Sequence, residues 1–208
     1  MKSARGYVQL AENVNGPIQQ PVSCSYIWGD ALDELKRNAP DLRIINLETS
    51  ITKSNDYWID KGIHYRMHPE NIACIAEAGI DYASLANNHI LDWGYAGLTE
   101  TLETLKKVNI KTAGAGRNLQ EAETPAVMEV KGKGRVIVFS FGTLTSGIPF
   151  SWAASKDRAG VNLMKDLSDK TVRHIKGTIM SKKQPGDIVI ASIHWGSNWG
   201  YDIPSDQK

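Results

Sequence analysis

Apolar positions along this chain recur with two periods in turn. Ile27, Ala31, Leu32 and Leu35 fall at helical spacing, and Pro40 closes that run. LRIINLE follows, a short β-branched run that ends on an acid, Glu48. The order then repeats. NIACIAEAG (71–79) predicts a helix stopped by Gly79, and IDYASLA predicts a strand that runs into Asn87, Asn88 and His89. GLTETLETLKKV (97–108) sets Leu98, Leu102, Leu105 and Val108 on one face and is the clearest helix. IKTAGAG predicts a short strand entering a glycine turn, and AVMEV with RVIVFSFG a hairpin around KGKG. Residues 168–182 read as a helix and GDIVIASIHWG as a final buried strand. Residues 1–26 are polar, carry proline and glycine, and are expected to form a loop or arm, with one domain over 27–208.

Helices alternating with apolar strands predict an α/β fold with antiparallel pairing at the hairpin. What the strands deliver is chemically specific: Glu48 from LRIINLE, Asn88 and His89 from YASLANNH, and His194 from IVIASIH. Ligands of α/β sheets bind at the carboxyl ends of strands, so these arrivals can converge on one site. Carboxylate, amide oxygen and imidazole form the mixed set that suits manganese, zinc or iron, each held at about 2 Å. Taken singly, each residue has a plainer role: Asn87 and Asn88 capping the next turn, His89 a satisfied loop histidine, Glu48 a helix cap. Three strand ends together favour the metal site. GIHYRMHPE places His64, Arg66 and His68 on one face if extended, either a cationic stripe for an anionic substrate or a solvated strand face.

Composition narrows the classes. The 208 residues are 41% hydrophobic, enough for one domain with a real core. With 24 basic and 23 acidic residues, the net charge of +1 gives no nucleic-acid footprint. Cys24 and Cys74 are isolated, fit neither a disulfide framework nor a thiolate zinc site, and are expected to be buried structural thiols. AGAG at 113–116 lacks the third glycine of a dinucleotide loop, since position 119 is Leu119. No G-x-S-x-G elbow supports serine nucleophile chemistry. No stretch approaches the roughly 20 apolar residues of a membrane-spanning helix and MKSARGYVQLAENVN lacks an apolar h-region, so neither a membrane segment nor a signal peptide is expected within this chain, whether or not a full-length protein is secreted or anchored.

Four stretches together carry a resemblance: GDALDELKRNAPDLRIINLETSIT, GIDYASLANNHILDWGYAGLTETLETL, AGAGRN, and GDIVIASIHWGSNWGYDIPSDQ. From about residue 25 onward the chain resembles the capsule-synthesis CapA family, also called poly-gamma-glutamate synthesis proteins. That family belongs to the calcineurin-like metallophosphoesterases, so the resemblance implies a layered α/β/β/α sandwich and a site for two divalent metal ions (Mn, Fe or Zn). By motif, Glu48 would take the bridging-carboxylate position, Asn88 and His194 would be metal ligands, His89 the catalytic histidine, and Asp92 its orienting partner. The implied activity is metal-dependent hydrolysis of a phosphoester or related anionic small molecule or polymer. A non-catalytic accessory role in assembly or export of an anionic capsular polymer is the alternative. The family's opening GDxM strand and closing GHxPH-type motif have no counterpart in this sequence. The expectation is therefore a fragment, a sandwich lacking its first strand and C-terminal histidine motif, which holds metal weakly and turns over little.

Overall fold

The computed structural model describes residues 4–197 and 199–208. Its helices are α1 (Ala4–Asn15), α2 (Ala31–Asn38), α3 (Ile72–Ala76), α4 (Gly94–Lys107), α5 (Leu119–Glu123) and α6 (Asp169–Lys182). The strands are β1 (Ile44–Asn46), β2 (Ser50–Ile51), β3 (Arg66–Met67), β4 (Tyr82–Ser84), β5 (Lys111–Ala113), β6 (Ala115–Gly116), β7 (Ala126–Val130), β8 (Gly134–Thr143), β9 (Gly160–Val161), β10 (Leu163–Met164) and β11 (Ile188–His194).

Two sheets dominate. One is parallel, in the order β1-β4-β5, with Ile45 opposite Ala83 and Ala83 opposite Thr112. The other is built on β8. The predicted hairpin supplies β7, antiparallel through Val130 and Gly134, while β11 runs parallel along the opposite edge and β10 pairs parallel at the end of β8.

Alternation along β8 explains how the layers stack, because neighbouring side chains leave opposite faces. Val136 and Val138 pack with Tyr82, Ala113, Ala126 and Met128 between the two sheets. Ile137, Phe139 and Phe141 face the other way, with Ile175 and Ile179 of α6 against them. Beyond the first sheet, Leu98, Leu102 and Leu105 of α4 pack with Ala83 and Leu85, and Leu32 and Leu35 of α2 lie against that cluster. The result is the expected α/β/β/α sandwich. Each fully buried Leu, Ile or Phe contributes about 1.5–3 kcal/mol, so the three apolar seams hold the layers together. Within the inner seam the Tyr82 and Ser140 hydroxyls meet at 2.5 Å. Burial there pushes the Tyr82 phenol up to about 12.

Three expectations are corrected. The opening segment is not all loop. Tyr7, Leu10 and Val14 fall at helical spacing and α1 forms, yet none of its residues is buried, so it remains an arm. The last strand forms where expected but is not buried. Among the described residues β11 pairs only with β8, which leaves its other edge open and Ile188 exposed, while Val189, Ile190 and Ile193 reach the core only in part. The two cysteines are half-exposed rather than buried, and they touch each other.

The turn into β11 is fastened by Arg135, whose Nε and guanidinium NH2 donate to the two oxygens of Asp187 at 2.9 and 2.6 Å. That fork, with the Gln184 backbone N–H, holds the Asp187 carboxyl down at about 2, below its ordinary 3.8. A depressed carboxyl stabilises the fold above its unfolded value and loses that contribution as pH falls through its folded one. Asp187→Asn should therefore lower Tm at neutral pH, with the deficit closing between pH 4 and pH 2. Calorimetry across that window checks it, and a pH-independent deficit would contradict the linkage.

Candidate functional site

The stretch SLANNHILDWG leaves β4 and turns immediately, and its two asparagines divide the work. Asn87 is fully buried. Its Nδ2 donates to the Leu47 carbonyl at 2.9 Å and to Asn46 Oδ1 at 3.1 Å, and its Oδ1 accepts the His89 backbone N–H at 3.1 Å. Every polar atom of Asn87 thus serves the scaffold, in the manner of an Asx-turn. Asn88, freed from that task, reaches across to β11, where its Oδ1 lies 3.1 Å from His194 Nε2.

Glu48 joins them just beyond the end of β1. Its Oε1 stands 3.8 Å from His194 Nε2, and its Oε2 accepts from Asn46 Nδ2 at 3.0 Å. Thr143 fixes the end of β11 by donating its hydroxyl to the His194 carbonyl at 3.2 Å. Glu48, Asn88 and His194, three residues predicted from strand ends, do come together. Burial lowers the His194 proton affinity; the Glu48 carboxylate opposes and His89 adds to that lowering, so a neutral imidazole is favoured.

Donors on one tetrahedral ion at ~2.1 Å sit roughly 3.4 Å apart. The spacings of His194 Nε2 from Asn88 Oδ1 and from Glu48 Oε1, 3.1 and 3.8 Å, bracket that separation. Among the described residues no group of three or more His, Cys, Asp and Glu side chains is arranged to hold a metal.

His89 and Asp92 form the neighbouring half of the site. The His89 Nδ1 lies 2.7 Å from Asp92 Oδ2, and that oxygen also accepts the Tyr65 backbone N–H at 2.6 Å. The Tyr65 ring stacks on the imidazole with centroids 4.1 Å apart. Ser50 donates its hydroxyl to the carbonyls of His89 and Ile90, both at 3.1 Å, which pins the turn from below.

Lys61 is the residue that sequence reasoning missed. Its ammonium donates to Asp92 Oδ1, and its Nζ is 2.9 Å from His89 Nδ1. Burial lowers the Lys61 proton affinity, while Asp92 and the more distant Glu48 oppose that shift. The geometry poses a choice at Nδ1. One ring nitrogen cannot both carry a proton for Asp92 and offer a lone pair to Lys61. Whichever contact prevails fixes what Nε2 presents to a ligand. No local pattern separates Lys61 from the chain's other cationic residues. It arrives on the long loop before β3, which is tied down where the Trp58 N–H donates to the Asp92 carbonyl at 2.9 Å.

His64, Arg66 and His68 are engaged by that loop rather than gathered with Glu48 and His194. His64 Nε2 contacts the Trp58 carbonyl at 2.8 Å. Arg66 donates to the Ser54 carbonyl at 2.8 Å and lies over the Trp93 ring at 4.0 Å, and His68 caps the turn at Pro69–Asn71 by accepting from the Glu70 N–H. The AGAG stretch forms β5, a turn and β6 rather than a phosphate loop.

Comparison with known proteins places this geometry in a family. The profile of the family described as bacterial capsule synthesis protein PGA_cap matches residues 3–208. The chain belongs to that family. The match includes α1, well before the stretches that carry the resemblance in the sequence. A probable polyglutamine synthesis accessory protein of Mycobacterium tuberculosis is 46% identical over 202 residues, 97% of this chain and 53% of the relative. The PGA biosynthesis protein CapA of Bacillus subtilis is 30% identical over 166 residues, 78% of this chain and 40% of the relative. The capsule biosynthesis protein CapA of Bacillus anthracis is 29% identical over 147 residues, 71% of this chain and 34% of the relative. The chain thus spans about half the length of its Mycobacterium relative and less of the two Bacillus relatives.

Proposed function

We propose that this PGA_cap protein acts in the biosynthesis of an anionic capsular polymer such as polyglutamate, as a metal-dependent hydrolase of a phosphoester or related anionic bond. The observation that carries the reading is the pairing of two unlike groups. Glu48, Asn88 and His194 present a ligand-type donor set, and beside it the buried Asp92 orients His89. The nearness of His89 contributes to lowering the His194 proton affinity.

Glu48, Asn88 and His194 would hold a divalent ion, which supplies positive charge to an anionic ester and acidifies water. His89 Nε2 handles the proton at the leaving oxygen, a general acid–base role. Asp92 and Lys61 set the ring's orientation and tautomer through Nδ1. Tyr65, stacked on the imidazole, limits water on that face.

Calorimetry with Mn²⁺ and Zn²⁺, followed by an ester panel with the metal site saturated, tests the proposal. Weak 1:1 binding is expected, which His194→Ala weakens by a further ~10-fold or more, together with metal-dependent turnover. A saturated protein that hydrolyses no phosphomonoester or phosphodiester would defeat it. The printed name of the Mycobacterium relative, a probable polyglutamine synthesis accessory protein, favours an accessory, non-catalytic role instead. Binding of the anionic polymer without turnover is that reading's positive result.

A further inference from the structure

The strongest unexplained feature lies outside the site. Cys24 and Cys74 are 50 positions apart, are the chain's only cysteines, and meet at 3.1 Å between sulfurs. Both are half-exposed. Cys24 sits in the segment that follows α1, and Cys74 sits on α3. A second link backs the contact, because the Trp28 indole N–H donates to the Cys74 carbonyl at 2.6 Å and seats the same segment on the same helix.

We propose that Cys24 and Cys74 are a thiol–disulfide site: under oxidising conditions they form an intramolecular disulfide that clasps the segment after α1 to α3. The oxidant is a small-molecule or protein disulfide. One cysteine, as thiolate, attacks a sulfur of that disulfide and expels a thiolate, giving a mixed disulfide. The second cysteine, as thiolate, attacks the protein sulfur and expels the other half. Two electrons pass to the oxidant, the two thiol protons leave with its thiolates, and one S–S bond replaces two S–H bonds. The contact leaves only a small side-chain adjustment to bring the sulfurs to bonding distance, and their partial exposure lets the oxidant reach them. With no third cysteine in the chain, the mixed disulfide has one resolving partner within it. The closed loop contains β1, β2, β3, Glu48 and Lys61, so the bond also restrains the unfolded chain around the candidate site.

The proposal is independent of the hydrolase reading. The test is oxidised glutathione at low protein concentration, read by intact mass, non-reducing peptide mapping and Tm. Expected are a mass loss of about 2 Da, a Cys24–Cys74 crosslinked peptide, and a Tm rise of roughly 5–15 °C that dithiothreitol reverses. Cys24→Ser should show none of these changes while keeping the Tm of the reduced protein within about 3 °C. Stable glutathione adducts on both cysteines, or a covalent dimer as the main product, would overturn it. So would a Tm lowered by oxidation.

Discussion

His89→Ala is expected to lower turnover of the metal-loaded protein by about 10²- to 10⁴-fold, with the affinity for metal changed by less than about threefold. The asymmetry follows from what the imidazole touches. Its Nδ1 meets Asp92 and Lys61, its ring meets Tyr65, and none of these is part of the Glu48, Asn88 and His194 donor set. The substitution also has a stability cost, because Asp92 is fully buried and loses one of its partners; about 1–3 kcal/mol is expected. Turnover, metal titration and Tm on the same preparations separate these effects. A variant that keeps turnover within threefold would remove His89 from the proposed chemistry. Equal losses in turnover and metal affinity would recast it as part of the binding scaffold.

The sandwich was legible because β-branched runs and 3.6-residue stripes alternate with little interruption, and because the alternating glycines of KGKG read better as a turn than as a basic patch. Glu48, Asn88 and His194 were legible for a related reason: each interrupts an apolar run at a strand end, where a polar residue needs a cause. Lys61 and Asn46 carried no such mark. Lys61 reaches Asp92 from a loop with no hydrophobic period, and only the folded chain places its long side chain in the site. Asn46 looked like one more strand residue, although its amide holds both Glu48 and Asn87. The stripe imagined for His64, Arg66 and His68 assumed an extended strand, but β3 contains only Arg66 and Met67, so period-two alternation never develops. The exposure of β11 was equally hidden, since an apolar run records a preference for burial rather than the presence of a covering layer.

The glycine pair in AGAG leads to the largest expected loss of stability. Gly114 sits at φ +94°, in the region L side chains avoid, and a Cβ there would lie 2.6 Å from Ala86 Cβ, 2.7 Å from Ser140 Cβ and 2.9 Å from the Ala86 nitrogen. The two sheets meet at this point. Ala86 leads directly into Asn87, Asn88 and His89, Ser140 belongs to β8, and the Gly114 carbonyl accepts the Asn162 N–H at 2.8 Å. Backbone strain costs about 1–3 kcal/mol and overpacking about 1–3 kcal/mol more, so Gly114→Ala should destabilise by roughly 2–6 kcal/mol. The Tm falls accordingly, by roughly 5–20 °C. Gly132→Ala is the control, because Gly132 also has positive φ, at +76°, but its Cβ would meet nothing within 4 Å. It carries the strain without the clash, and its smaller loss isolates the packing contribution. Comparable losses at the two positions would mean that the sheets part easily at Ala86. The tight glycine contact would then no longer explain how the NNH turn is held at the end of β4.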